Sequence, residues 1–179
     1  MNILDLLLAP ENKGAIDQLS QNFDLSPQQT NAAVKELIPA LTRGLQNNTS
    51  NGPGLDELLA ALQKGNHSNY LETPDVLRQS TTAKDGNDIL GHIFGNKQVS
   101  RDVAGRASQR SGIASGVLKK MLPIVATMVM AQLGKKVLGG GKTVNQNAST
   151  GLIASLLDSD RDGAIWDDLL SIGARTMLR

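Results

Sequence analysis

An all-α fold is what this sequence predicts, and three observations predict it. The apolar residues are aliphatic: 40% of the chain is hydrophobic but only 2% is aromatic. A core must therefore be built from Leu, Ile, Val, Ala and Met, whereas β-rich folds draw more on aromatic and β-branched side chains. Those apolar residues recur at helical spacing. Helix-start chemistry is also plain, above all at Ser26-Pro27, where Ser can cap and Pro fits the first helical position. A length of 179 residues suits one domain, or one domain with a small appendage. The chain has no cysteine, which excludes disulfides, zinc–thiolate sites and thiol catalysis. Its start, MNILDLLLAPENKG, lacks the basic region and small-residue cleavage site of a secretory signal, so a cytoplasmic location is expected.

Taken in order, residues 2–8 form one or two apolar helical turns, interrupted by Pro10. Residues 11–23 place Ile16, Leu19 and Phe23 at helical spacing. From Ser26-Pro27 a helix runs to about Leu45, with Ala33, Val34, Leu37, Ile38, Leu41 and Leu45 on its apolar face and a kink expected at Pro39. Gln46–Gly54 (QNNTSNGPG) is a loop by composition. Leu55, Leu58, Leu59 and Leu62 mark a short amphipathic helix ending at Gly65. Residues 66–88 are polar and broken, with Pro74 and the turn-rich TTAKDGND, and are expected to be a mobile connection.

Ile89–Phe94 (ILGHIF) opens the second half, followed by a helix over about 100–110, a turn at Ser111-Gly112-Ile113, and a long helix over about 114–136 containing Pro123. The stretch Met121–Ala131 is apolar almost all round, which marks a central core helix. That stretch is shorter than the roughly 20 apolar residues a membrane span needs, and no transmembrane segment is read. The expected organisation is a duplicated helical body over 1–137 (halves of about 1–65 and 86–137), a Gly-rich linker over 138–148, and a helix–acidic loop–helix module over 149–179.

The duplication rests on three correspondences. Ile3-Leu4 matches Ile89-Leu90. Ser20-Gln21 followed by Asp24-Leu25-Ser26 matches Ser108-Gln109 followed by Gly112-Ile113-Ala114. Leu37-Ile38-Pro39 matches Met121-Leu122-Pro123. The offset drifts by a two-residue insertion and a four-residue deletion, the latter about one helical turn. Each copy holds a short element, a helix, a tight turn and a Pro-kinked long helix. Two such copies can bury each other's apolar faces about a pseudo-twofold axis.

With these features in place, the chain resembles the DUF937 family, YidB-like bacterial proteins without an assigned biochemical function. The resemblance is carried by DGNDILGHIFGN (Asp85–Asn96), the two Leu-Pro helices and a terminal DxDxDG loop, and it runs from Met1 to about Lys136. It implies a bacterial, helical protein and supplies no catalytic residues.

The residues that most clearly imply chemistry lie in LLDSDRDGAIWDDLL. Calcium takes six to eight hard oxygens, and alternate residues of a tight turn converge on it; EF-hand loops use positions 1, 3, 5, 7 (a backbone carbonyl), 9 and 12, with Gly at 6. Counting from Asp158 puts Asp160 and Asp162 at positions 3 and 5, Gly163 at 6, and the Ala164 carbonyl at 7. Position 12 is Leu169 rather than Glu. Asp168, one residue early, is the expected closing ligand of a shortened loop, with Asp167 or a water as the alternative. Five carboxylates within eleven residues repel one another without a cation. A polar helix–turn–helix link with an Asp cap is the alternative to Ca²⁺ binding.

Charge is unevenly spread. Residues 1–96 carry a net charge of −5, residues 97–136 carry +7, and the remainder −1. The basic block complements the acidic first half, within one chain or between copies in a homo-oligomer. Its other use is a surface for DNA or another polyanion, resting on Arg101, Arg106, Arg110, Lys119 and Lys120 around a helix–turn–helix. No aromatic or Asn/Gln cluster there suggests base readout, so nucleic acid is the less favoured partner.

No small-molecule substrate is expected and the chain reads as a non-enzyme. Neither His67 nor His92 has an acid at triad or metal-ligand spacing, and Gly141-Lys142-Thr143 lacks the first Gly of a P-loop.

Overall fold

A computed structural model describes residues 2–50, 52–65, 67, 69–139 and 146–157. These residues form helices and turns with no strand among them. Helix α1 (Ile3–Leu7) opens on a capping box, in which the Asn2 side chain accepts the Asp5 N–H at 2.8 Å and Asp5 reaches back to the Asn2 N–H. A 3-10 turn at Pro10–Asn12 leads into α2 (Lys13–Phe23), which stops at Asp24 in the left-handed region (φ 52°), its N–H donated to the Ser20 carbonyl. Ser26 then caps α3 (Pro27–Thr49): its hydroxyl takes the Gln29 N–H at 3.1 Å, and Gln29 accepts the Ser26 N–H at 2.9 Å. Pro39 sits inside α3 without ending it.

The expected loop at 46–54 is for the most part helix. Helix α3 continues to Thr49 and α4 (Gly52–Lys64) begins three residues later. Polar composition misled here because Thr49 and Ser50 turn their hydroxyls onto the carbonyls of Leu45 and Gln46, at 2.8 and 2.7 Å. Such groups sit comfortably on the exposed side of a helix end.

The larger correction concerns residues 66–88. Rather than a broken connection, this stretch holds α5 (Asn69–Glu72), a 3-10 turn at Pro74–Arg78, and the start of α6 (Ser80–Phe94). TTAKDGND is thus helical, and ILGHIF is the end of α6 rather than a separate opening element. Gly86 explains why. A Cβ at that position would lie 2.0 Å from the Pro123 carbonyl oxygen. The residue that looks like a helix breaker is the one that lets α6 lie directly on the long helix of the second half, and tertiary packing overrides local propensity.

Gly95 (φ 65°) ends α6, and Asn96 caps α7 (Lys97–Ser111) by accepting the Gln98 N–H at 2.8 Å. Helix α7 ends at Gly112 (φ 73°), whose N–H goes to the Ser108 carbonyl. Helix α8 (Ser115–Leu138) follows, unbroken through Pro123. The last described helix is α9 (Gln146–Leu157). Leu138 therefore belongs to α8 and residues 146–148 to α9, which narrows the expected linker at both ends; residues 140–145 lie outside the described residues.

Helix α8 is the axis of the molecule. Every other described helix touches it, and every residue from Met121 to Leu133 is buried. By length and composition α8 is apolar enough to cross a membrane, more so than Met121–Ala131 alone suggests, but 78% of its most apolar stretch is covered by the protein's own helices. Its one buried amide, Gln132, receives the Asn12 side-chain N–H at 3.3 Å, and Asn12 also donates to the Leu6 carbonyl at 2.7 Å. A polar group inside an apolar helix is thus satisfied by the turn between α1 and α2. Helix α9 adds Ile153, Leu156 and Leu157 to the same core, against α3 and α8.

Candidate functional site

The basic block divides between three places. Its largest concentration is a cleft of about 440 Å³ where the end of α6, the start of α7 and the second turn of α8 meet. Asn87, Leu90 and Gly91 line it from α6, Asn96, Lys97, Ser100 and Arg101 from the start of α7, and Lys119 from α8. The αL turn at Gly95 swings α7 away from α6 and so opens this corner. Asp102, the block's one acid, is held by the Gln98 amide at 2.9 Å on its own helix. Arg101 reaches Gln98 at 3.4 Å. Among the described residues no carboxylate lies within ion-pairing distance of Lys97, Arg101 or Lys119.

Arg110 points elsewhere. Its Nε lies 2.7 Å from Glu36 Oε2, tying α7 to α3. This pair is an acid of the first half meeting a base of the second within one chain. Arg106 is half-buried on α7 and already carries a polar interaction. Lys120 is exposed beside Lys119 outside the cleft lining, and Lys135 and Lys136 are exposed in the last turn of α8. At 1.5 Å per residue those last two stand about 24 Å along the helix from Lys119.

A second concavity, about 300 Å³, lies between the end of α3, α4 and α6, with Met130 beneath it. Leu45, Leu58, Ala61, Ile89 and Ile93 make it apolar, and Glu57, Lys64 and His92 stand around it. His92 is exposed here, and its backbone carbonyl accepts a hydrogen bond from the Asn48 side chain.

A third cluster was not legible in the sequence. The Tyr70 hydroxyl donates to Asp85 Oδ2 at 2.6 Å, and the His67 ring lies 6.0 Å from that of Tyr70. Burial pushes His67 below its ordinary value, opposed by a backbone contact at Ala61 and the charge of Asp85. Burial, reinforced by the hydrogen bond to Asp85, raises the Tyr70 phenol well above the usual tyrosine range. A phenol held so firmly protonated is a poor acid, and the Tyr70–Asp85 pair staples α5 to α6.

The expected calcium ligands Asp158, Asp160, Asp162, Ala164 and Asp168 lie outside the described residues. Among the described residues no three His, Cys, Asp or Glu side chains come together to hold a metal. The helix leading to the loop is described, however. Helix α9 is described as far as Leu157, immediately before Asp158, with Leu156 and Leu157 buried and the Leu157 carbonyl accepting a hydrogen bond from the Gln46 side chain.

Comparison with known proteins is brief. The family model DUF937, described as a bacterial protein of unknown function, matches residues 5–136. That span runs from within α1 through nearly all of α8, takes in the basic cleft, and stops short of α9 and the acidic loop. No curated protein matches the chain, and no solved structure does. With its helical body matched almost from end to end, the chain belongs to the DUF937 family.

Proposed function

We propose that this is a non-enzymatic binding protein whose C-terminal loop, residues 158–168, takes up Ca²⁺ through Asp158, Asp160, Asp162, the Ala164 carbonyl and Asp168. The observation that carries this reading is the alternating Asp spacing with Gly163 at the sixth position, directly after the buried Leu156 and Leu157 of α9. An anchored helix gives the first ligand a fixed point of departure, so cation binding orders less chain than it would on a free tail. Without a Glu at the twelfth position, affinity falls toward the weak end for such loops, on the order of 10⁻⁵ to 10⁻³ M. A single loop has no second EF-hand in this chain to pair with, so a stabilising or docking role fits better than sensor-like opening.

The test is a calorimetric Ca²⁺ titration of the EGTA-stripped full chain, with Asp160→Ala as control and Trp166 fluorescence as a second readout. Saturable binding that Asp160→Ala abolishes is expected. No heat and no fluorescence change up to millimolar Ca²⁺ would falsify the site.

The body preceding the loop is proposed to be a duplication. Two corners support it: α2 ends in a left-handed Asp24 bonded to Ser20, and α7 ends in a left-handed Gly112 bonded to Ser108, each followed by a long helix with an internal proline. Helix α1 packs on α8, as α6 packs on α3, which is the exchange a pseudo-twofold axis requires. A homo-oligomer held by the acidic and basic halves is compatible with this body, and a solution mass measurement decides it. A second reading, a DNA- or polyanion-binding module, is favoured by one observation: Lys97, Arg101 and Lys119 line a common cleft.

A further inference from the structure

We propose that the cleft between α6, α7 and α8 is a binding site for a small phosphorylated molecule, held by Lys97, Arg101 and Lys119 with Asn87, Asn96 and Ser100 as neutral partners. The proposal narrows the polyanion reading and is independent of calcium.

Three observations carry it. The three cations come from two helices onto one concavity, and among the described residues none has a carboxylate partner. Like charges gathered without a counter-ion repel, and an anion between them removes that repulsion. Secondly, the start of α7 is electrostatically inverted. A helix N-terminus favours negative charge, yet the first turn of α7 has no acidic residue and Lys97 is its first residue. An anion in the cleft sits at the positive end of the helix and beside the lysine at once. Asn96 already satisfies the Gln98 N–H, so the helix end is capped and the ligand is called on for charge rather than for capping.

The third observation is shape. A volume of about 440 Å³ lies within the range of small-molecule sites. Ser100 and the two asparagines supply donors that can orient phosphate oxygens, Arg101 offers a bidentate fork, and Leu90 gives the floor an apolar patch. A duplex would instead need basic groups spread along a groove. Here Arg110 is taken by Glu36, and Lys135 and Lys136 stand about 24 Å from Lys119. Two acids are near: Asp102, engaged by Gln98, and Asp88, exposed next to Asn87 on α6. Neither lines the cleft.

The experiment is calorimetric titration of the full chain with inorganic pyrophosphate in EGTA-containing buffer of about 0.1 M ionic strength, where the Debye length is about 10 Å, on the wild type and on the Arg101→Gln/Lys119→Gln double variant. Both residues are exposed, so the variant is expected to unfold at the wild-type temperature. Saturable binding by the wild type is expected, weakened about tenfold or more in the double variant through loss of charge-assisted contacts. Lys135→Gln should leave it within about twofold, since surface charges beyond a Debye length are screened. Equal weakening by Lys135→Gln would show diffuse attraction and overturn the site. Absence of pyrophosphate binding overturns it as well. If a mixed-sequence duplex is bound in that case, the broader polyanion reading stands without the cleft; if phosphatidylglycerol vesicles alone are bound, the surface reads lipid; if nothing is bound, both anion readings fall and the calcium reading is untouched.

Discussion

Replacing Gly86 by alanine should destabilise the protein although it improves the local helix. In an exposed helix interior Gly→Ala gains about 1 kcal/mol. At position 86 the added Cβ would meet the Pro123 oxygen at 2.0 Å, the Pro123 carbonyl carbon at 2.4 Å and the Pro123 Cβ at 2.7 Å, where ordinary contact begins at 3.4 Å. The obstructing atoms are mostly backbone of a buried helix, and the proline ring holds its φ, so no rotamer change relieves them. Helices α6 and α8 must part by an amount on the order of 1 Å along the most extensive helix contact among the described residues. Overpacking of that kind costs roughly 2–4 kcal/mol. Set against the propensity gain, the net loss is about 1–3 kcal/mol, or roughly 3–10 °C in Tm for a chain of this size. Gly91→Ala is the internal control: it lies on the same helix with nothing within 4 Å of its added Cβ, and it should be neutral or stabilising. The assay is thermal and urea unfolding of the three proteins side by side. If Gly86→Ala matches or exceeds Gly91→Ala in stability, the direct seating of α6 on α8 is wrong, and so is the reason given for the helicity of TTAKDGND.

Other perturbations follow from the same packing. Asn12→Ala should cost about 1–3 kcal/mol in urea denaturation, because it strips a donor from the buried Leu6 carbonyl and Gln132 amide oxygen; a cost below 0.5 kcal/mol would show these groups to be solvated. The chain's one tyrosine allows a direct titration: phenolate absorbance of Tyr70 should rise at a pH above that of free tyrosine, and Asp85→Asn should bring it only part of the way back, since burial is the larger cause. The raised folded-state value means that this stabilisation is fully present below the unfolded tyrosine pKa of about 10 and is lost as pH rises above it. For His67 the sign reverses: its lowered value contributes stability above the unfolded histidine pKa of about 6.5 that fades as pH falls, and His67→Gln should flatten that part of the stability profile. Arg110→Ala should cost no more than about 1 kcal/mol and the loss should shrink in high salt, because the Arg110 side chain is 51% exposed.

Local chemistry was legible in the sequence by itself. Ser26-Pro27 announces a helix start because a capping hydroxyl and a missing N–H act within one turn, and the structure places α3 there. The apolar band of Met121–Ala131 announces a core helix because a surface helix needs a polar face, and α8 is that helix. The Asp158, Asp160, Asp162, Gly163 spacing is likewise a local pattern, which is why a calcium expectation can be stated from residues alone. Tertiary structure decided what depends on distant partners. Gly86 reads as a breaker until Pro123 is set against it, and Tyr70 and Asp85 are unremarked polar residues until α6 brings them together. The basic block is one run of charge in sequence, but Glu36 claims Arg110 while α7 and α8 turn Lys97, Arg101 and Lys119 into one cleft. Periodicity and caps report interactions within a few residues of chain; which glycine permits a close approach, and which cations share a cavity, is set by helices that meet only after the chain has folded.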